Sequence, residues 1–221
     1  NATLTAGTGH GANASIEYTG TGQQWLNYAS GLALAGGGTA GGNTAVARIS
    51  SAGSQSLDFG SLTLTGSAGP GASATIYASG TQTLAGGNVT LSGGAGTDAI
   101  ARINTPMGQT LYIGSLSLSA GPSAGSYVKI DSGMNQYVSA GNITLTAGGA
   151  GQTVEPFVAV PNASAIIEGH SQTISSGTMT LNGGAGASGS TSDAIIRNLS
   201  GSQSVSASSI APLKMFTPIG T

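Results

Sequence analysis

The chain is short of cysteine, of charge and of aromatic residues. It has no cysteine, and among its 221 residues only five are Lys or Arg and seven are Asp or Glu. Without cysteine, a disulfide scaffold is excluded. With so few basic residues, the chain lacks the positive stripe that proteins use to neutralise nucleic-acid phosphates or anionic lipid headgroups. We therefore expect no nucleic-acid partner.

Long apolar runs are also missing. No stretch approaches the roughly 18 apolar residues that a membrane-spanning helix needs, so membrane insertion is not expected. The sequence begins at Asn1 without a leader segment, as a secreted protein does once its signal peptide has been removed. A surface with so little charge suits an assembled or secreted material. We expect a secreted, extracellular or cell-surface location.

Glycine is abundant, and two other residue types return at long, regular intervals. The chain has 39 Gly, yet hydrophobic residues still make up 38%, which distinguishes it from a disordered Gly-rich linker. Successive glutamines of one set are separated by 31, 27, 27, 27, 36 and 31 residues, and successive leucines of a second set by 30, 30, 27, 27, 27 and 36. The two sets are Gln24, Gln55, Gln82, Gln109, Gln136, Gln172 and Gln203, and Leu4, Leu34, Leu64, Leu91, Leu118, Leu145 and Leu181. Such repetition indicates one small unit stacked on copies of itself.

One repeat contains three short strands separated by turns. In the repeat that begins at Val89, these strands are residues 89–91, 101–103 and 109–113. Three strands in about 27 residues are typical of a three-sided β-helix. The sequence therefore predicts an all-β fold, a right-handed three-sided parallel β-helix of about seven coils of 27 to 36 residues. We place the solenoid repeat domain at residues 1–210, and at 211–221 an apolar tail that is either a cap or a contact between subunits.

The glutamine set is predicted to point into the solenoid. Gln109 has the same strand parity as Leu111 and Ile113, which are expected to be core residues. A lone buried amide would be costly, whereas a glutamine in every coil can donate its side-chain N–H to the next side-chain carbonyl. We predict two columns along the axis: a ladder of hydrogen-bonded glutamine side chains and a core stack of leucines. The alternative is an exposed corner glutamine that was repeated only by duplication.

The polar residues form no recognisable catalytic or metal-binding pattern. The strand alternation predicts that the seven acidic residues lie on different sides of the coil, so no carboxylate pair is placed for acid–base catalysis. His10 and His170 have no partner at ligand spacing. Residues 93–100 match a calcium-binding β-roll pattern once, but that chemistry needs tandem copies. We expect no enzymatic activity, no catalytic residues, no metal and no cofactor.

Two surface features have more than one interpretation. Residues on either side of the repeated leucine form two columns rich in threonine, which resemble those of ice-binding solenoids, although Thr and Ser are also ordinary outward residues of a β-face. The longest coil carries an apolar insert that is either a contact site or a loop folded over its own coil. The protruding residues of that insert are Pro156, Phe157 and Val158.

Three short motifs together resemble a known family. A Gln-x-Leu/Ile-x-x-Gly segment, an Asn-Val/Ile-Thr-Leu segment and a Gly-Gly-Ala-Gly turn recur through most of the chain, as in residues 82–87, 88–91 and 93–96. This combination is similar to repeats of filamentous-haemagglutinin-like bacterial exoproteins. The resemblance implies a secreted, right-handed β-helix that serves in surface attachment or fibre building.

The two ends of the repeat suggest how such a protein functions. The chain begins directly on a strand, and neither end has an obvious polar cap. Uncapped coils expose unpaired backbone, which favours stacking onto another copy. We therefore predict a structural subunit of an adhesive extracellular or biofilm filament that stacks head to tail on itself, with cell-surface or matrix components as further partners. Expected assembly contacts are Asn1, Leu4, Leu213, Met215 and Phe216.

Three alternatives remain open at this point. The C-terminal tail could fold back as a cap of its own solenoid. The chain could be a passenger fragment of a larger surface adhesin, whose neighbouring coils cover the two ends. As a third function, the threonine columns could bind ice.

Overall fold

A computed structural model describes residues 1–9, 11–39, 44–149, 163–184 and 192–211 of the chain. These residues form sixteen β-strands and no helix. The strands are β1 (Ala2–Thr5), β2 (Ala14–Tyr18), β3 (Gln23–Tyr28), β4 (Leu32–Ala35), β5 (Val46–Ser51), β6 (Ser54–Thr65), β7 (Ser73–Ala78), β8 (Gln82–Ser92), β9 (Ile100–Thr105), β10 (Gln109–Ser119), β11 (Val128–Ser132), β12 (Asn135–Thr146), β13 (Ala165–Gly169), β14 (Ser171–Asn182), β15 (Ala194–Asn198) and β16 (Gln203–Ile210).

All the paired strands run parallel, and each pairs with its equivalents in the neighbouring coils. One sheet has the order β1-β4-β6-β8-β10-β12-β14-β16, with β3 also paired to β6, and the second has the order β15-β13-β11-β9-β7-β5-β2. Parallel pairing of this kind needs a long connection between partners, and one turn of the coil supplies it. The chain is therefore a β-solenoid of about seven coils, which confirms the predicted fold class.

The three sides of the coil arise from two sheets. The second sheet forms one side, here called the Ile face. Its seven short strands are β2, β5, β7, β9, β11, β13 and β15. Each long strand of the first sheet covers the other two sides. Its first half begins near a repeated glutamine and forms the Gln face, and its second half contains a repeated leucine and forms the Leu face. The sequence predicted a separate strand on each side. In the structure, one strand continues around the corner between the Gln face and the Leu face.

A column of glycines makes that continuous corner possible. Gly60 and Ser61 are both exposed, whereas Phe59 before them and Leu62 after them are buried. The alternation of inward and outward residues therefore shifts by one position at this corner. A Cβ atom on Gly87 would lie 2.1 Å from the carbonyl oxygen of Gly60 in the coil below. Because the backbones of these two coils come so close together here, only a residue without a side chain fits at Gly87.

The core is a set of residue columns that run along the axis. The repeated leucines pair with one another coil by coil from Leu4 to Leu181. In the middle coils these side chains are fully buried, with Leu64, Leu91 and Leu118 each 0% exposed. Facing them across the core, Ile49, Ile76 and Ile103 of the Ile face are also 0% exposed. Full burial of such a side chain contributes about 1.5–3 kcal/mol, so the columns account for much of the stability.

Candidate functional site

The seven repeated glutamines form one continuous hydrogen-bonded ladder inside the solenoid. In each coil the side-chain Nε2 donates to Oε1 of the glutamine in the preceding coil, at distances between 2.7 and 2.9 Å. Gln55, Gln82 and Gln109 are each only 1% exposed. The arrangement places the glutamines inward as predicted, and it satisfies amide groups whose burial alone would be unfavourable.

The ladder has a direction, and its two ends differ. At the first coil Gln24 accepts from Gln55 through Oε1, and its Nε2 faces no acceptor among the described residues. At the last coil Gln203 donates to Gln172, and its Oε1 receives no donor among them. One end of the stack therefore presents a spare N–H donor and the other a spare carbonyl acceptor.

The last coil also exposes apolar residues that occupy core positions. Val205 follows Val138 and Ile174 in the same column, and Ile210 follows Met179. Val138 and Ile174 are 0% exposed, whereas Val205 is 42% and Ile210 is 64% exposed. In the first coil the core residues Leu4, Ile16 and Leu26 are only partly buried. In the part of the chain that the structure describes, each end of the solenoid therefore exposes side chains that occupy core positions.

The Ile face carries a charged column that the sequence analysis missed. We expected the seven acidic residues to lie on different sides of the coil, and for three of them this was wrong. Glu17, Asp131 and Glu168 occupy the same position in their coils, and Arg197 follows Glu168 in that column. Each residue lies three positions after the alanine or valine that begins the face, so aligning the second strand of every repeat would have revealed the column.

Most of these charges are paired between coils. Arg102 donates from Nε and Nη2 to the two carboxylate oxygens of Asp131, at 2.7 and 2.6 Å. Glu168 accepts from Nζ of Lys129 at 2.7 Å and from Nε of Arg197 at 2.6 Å. Together with Arg102 and Lys129 of the neighbouring outward column, this column links four successive coils through charge-assisted hydrogen bonds, which are stronger than neutral ones. These hydrogen bonds hold the carboxylates of Asp131 and Glu168 between neighbouring coils.

The pairing shifts the pKa values of two members of this cluster. Burial raises the pKa of Glu168, but the hydrogen bonds from Lys129 and Arg197 outweigh it, so the pKa lies below its usual value of 4.5. The hydrogen bond to Asp131 raises the pKa of Arg102 further above its usual value. Both shifts favour the charged forms.

The charges at the first coil have no such partners. Among the described residues, Glu17 makes no ion pair. Arg48, in the next coil, packs over the ring of Tyr77 with 5.6 Å from Cζ to the ring centroid. The column thus begins with an unpaired carboxylate at one end of the solenoid and finishes with a guanidinium at the other.

Among the remaining predicted site residues, Asn1 and Leu4 lie within the described ranges. Asn1 is exposed and Leu4 is half-buried at the start of the stack. The predicted tail contacts Leu213, Met215 and Phe216, and the predicted loop Pro156, Phe157 and Val158, lie outside the described residues. So does His10, while His170 contacts the hydroxyl of Ser200.

The threonine columns beside the leucines are in register along the Leu face, as the spacing predicts, and Ala33 and Ala35 interrupt them. The columns are Thr3, Ala33, Thr63, Thr90, Ser117, Thr144 and Thr180, and Thr5, Ala35, Thr65, Ser92, Ser119, Thr146 and Asn182.

The described residues contain neither a metal-binding cluster nor a membrane-spanning helix. Across the described ranges, no three His, Cys, Asp or Glu side chains come together as a metal site. In the same ranges no helix is present that could span a membrane. No protein-family model matches the chain, and no curated protein or solved structure shows significant similarity to it.

Proposed function

We propose that the protein is a structural subunit of an extracellular filament in which β-solenoids stack head to tail. The observation that supports this most directly is the complementarity of the two ends of the stack. The spare amide N–H of Gln24 and the spare carbonyl oxygen of Gln203 belong to the same ladder, so a second copy placed on the last coil continues that ladder without a break.

The backbone edges support the same arrangement. In the described residues β2 and β3 at one end, and β15 and β16 at the other, are each paired on one side only. Open strand edges are templates for pairing with another chain. Stacking β2 of one copy on β15 of the next, and β3 on the first part of β16, extends both parallel sheets. Ala2 and Ile210 belong to the same column of the Leu face, so in this register the end of β16 has to give way to β1 of the added copy. Since the two surfaces differ, the contact is heterologous and need not close into a ring.

The side chains that would meet at such a junction are also matched. Leu26 would cover Val205, and Ile16 would cover Ile196, so apolar side chains that are exposed or half-buried in one copy become core. On the Ile face, Glu17 of one copy would follow Arg197 of the next in the charged column. A head-to-head contact would instead oppose two copies of Glu17 and two amide donors. Charge and hydrogen bonding therefore both favour one polarity.

The resemblance to filamentous-haemagglutinin-like repeats supports a neighbouring possibility, a passenger segment of a longer adhesin. In that case the same two ends would be covered by further coils of the same chain rather than by a second copy. A third candidate is ice binding by the threonine columns of the Leu face, which a measurement of thermal hysteresis would detect. We favour the filament because the two end surfaces complement each other.

The test is a lysine at the centre of one end. Val205 points into the core yet is 42% exposed, so Val205→Lys leaves the isolated solenoid folded but buries an unpaired charge at a junction. We expect electron microscopy to show filaments of the unaltered protein and none of this variant. Ser204→Lys adds the same charge one residue away, on the outer surface of β16, and should still assemble.

Two results would contradict the proposal. One is a monodisperse monomer of the unaltered protein at every concentration tested. The other is filaments of Val205→Lys that match those of Ser204→Lys. As a separate expectation, deletion of residues 211–221 shortens or abolishes the filaments if the tail packs on the neighbouring subunit.

A further inference from the structure

Four large apolar side chains are exposed together in the middle of the solenoid. Outside the first and last coils, the exposed large hydrophobic residues in the described part of the chain are Met107 at 37%, Tyr112 at 54%, Met134 at 49% and Tyr137 at 36%. All four belong to two successive coils, since β10 pairs with β12. Single apolar residues on a surface are ordinary, but a cluster confined to one place indicates a contact surface.

An open groove runs along the axis at the start of the Gln face, and Tyr137 is the one of these four side chains that lines it. Its walls are two rows of neutral residues from successive coils, one row on each side of the inward-pointing glutamines, and they include Thr83, Thr110, Asn135, Tyr137, Ser171 and Thr173. Met107 directly precedes Gly108 in the groove, and Met134 directly precedes Asn135. None of the described residues that line it is charged. The groove combines an apolar border with hydroxyl and amide groups.

The aromatic part of the border is held in place by its own packing. The rings of Tyr112 and Tyr137 lie with centroids 5.4 Å apart and planes tilted by 51°. Such a pair is favourable beyond its buried area, so each ring restricts the other. Two fixed phenols then offer ring surface and hydroxyl groups side by side, at little further cost in side-chain entropy.

We propose that this groove binds an uncharged polysaccharide chain lying parallel to the solenoid axis. A sugar ring has apolar C–H faces and a rim of hydroxyl groups, so it is complementary to a surface that supplies tyrosine rings and methionine beside hydroxyls and amides. Equivalent polar side chains recur at each coil, about 4.8 Å apart, and can contact successive sugars of one chain. Because the groove has no cation, it offers nothing that favours an acidic polymer.

This proposal stands apart from the filament, although a filament would strengthen its effect. Each subunit contributes one groove, so a stacked fibre would present many aligned grooves to the same polymer and gain avidity. The polysaccharide would then be the matrix component to which the fibre attaches. A competing use of the same surface is lateral contact between two copies of the chain.

The experiment measures binding of fluorescently labelled soluble polysaccharides to the full chain by fluorescence anisotropy. The probes are dextran, mannan and xyloglucan as neutral polymers and polygalacturonate as the acidic one. We expect saturable binding of at least one neutral polymer and weaker binding of polygalacturonate. Tyr112→Ala combined with Tyr137→Ala should lower the affinity for the neutral polymer about tenfold or more.

Trp25→Ala is the matched control. Trp25 is an aromatic residue of the same outward column as Tyr137, 73% exposed but in the first coil, far from the cluster. Its removal should change the affinity less than twofold. The melting temperature of Trp25→Ala should agree with that of the unaltered protein, and that of the tyrosine double variant should be only slightly lower, because it loses one ring contact and no core residue.

Several outcomes would overturn the proposal. These are no binding to any neutral probe, binding only to polygalacturonate, or the same loss of affinity with Trp25→Ala as with the tyrosine double variant. If the tyrosine variant changes only the width of filament bundles and not polysaccharide binding, the surface is a lateral contact between copies. Because filament length is not read in the binding assay, failure here leaves the head-to-tail proposal to its own test.

Discussion

Strands β12 and β16 follow the same sequence pattern but differ in their surroundings. Both contain a repeated glutamine, followed two residues later by a valine. Gln136 and Val138 in β12 are 2% and 0% exposed, whereas Gln203 is exposed and Val205 is 42% exposed in β16. The strands differ because β12 pairs with a coil on each side and β16, in the described residues, with one. Burial in a solenoid is thus a property of neighbouring coils, not of the repeat itself.

The corner glycines extend this comparison to the first coil. A Cβ atom on Gly60 would lie 2.4 Å from the carbonyl oxygen of Ser30, which belongs to the coil below. In the first coil the corresponding corner residue is Ser30 rather than glycine. Strand β3, which leads into this corner, has no described strand beneath it. Glycine is therefore required where another backbone stacks closely beneath the corner.

The sharpest test of this difference replaces a ladder glutamine in the interior and at the end. Gln109→Leu leaves the N–H of Gln136 and the carbonyl of Gln82 buried without partners, at a cost of about 1–3 kcal/mol for each group. We expect a total loss of about 2–6 kcal/mol in unfolding free energy, measured with denaturant on the monomer. Gln203→Leu leaves only one buried group without a partner, the carbonyl of Gln172, so it should cost about 1–3 kcal/mol, roughly half as much. Equal losses would contradict the role assigned to neighbouring coils.

Neighbouring corner glycines should differ in tolerance. A Cβ on Gly87 would approach the Gly60 oxygen to 2.1 Å, whereas on Gly114 its nearest atoms lie at 3.4 Å. Neither glycine has a positive φ, so space alone separates them. We expect Gly87→Ala to destabilise the solenoid by about 1–3 kcal/mol and Gly114→Ala to change the melting temperature little. If both substitutions are tolerated, the corner relaxes more easily than the contact distances indicate.

The paired charges predict how the interior of the Ile face responds to acid. The pKa of Glu168 is lowered in the folded protein, so its contribution to stability is present above the usual value of 4.5 and is lost as pH falls through the lowered folded pKa. Glu168→Gln should destabilise by about 1–2 kcal/mol at pH 7. It should also flatten the decline of stability below pH 4.5. Denaturant midpoints between neutral and acidic pH check both expectations.

The smallest predicted effect concerns the unpaired end of the same column. In the proposed filament, Glu17→Lys places a lysine next to Arg197 of the adjoining copy and weakens assembly, raising the critical concentration about fivefold. High salt should reduce this difference, because screening weakens exposed charge pairs. Asp58→Lys makes the same charge change at an exposed position of the Gln face and should leave assembly unchanged. A similar effect of both substitutions would exclude a specific contact at Glu17.

The repeat pattern predicted some features well because each depends on one periodic residue. The leucine column and the inward glutamines follow directly from spacing and strand parity, and the structure places them as expected. The charged column of Asp131, Glu168 and Arg197 was missed because the coils differ in length and the acids were considered singly rather than aligned. The groove beside Tyr112 and Tyr137 was missed as well, since two outward tyrosines in different repeats carry no shared period.

By itself, the sequence determined the number of coils, the strands, the residues that face inward and the chemistry of the axial ladder. These follow from alternation and period, which are properties of a single repeat and its copies. Only the tertiary structure decided which charges pair, how two sides of the coil share one strand, and which core residues stay exposed at the ends. Those features depend on atoms separated by a whole turn of the coil, and the distance between them is set by stacking, which no local pattern encodes.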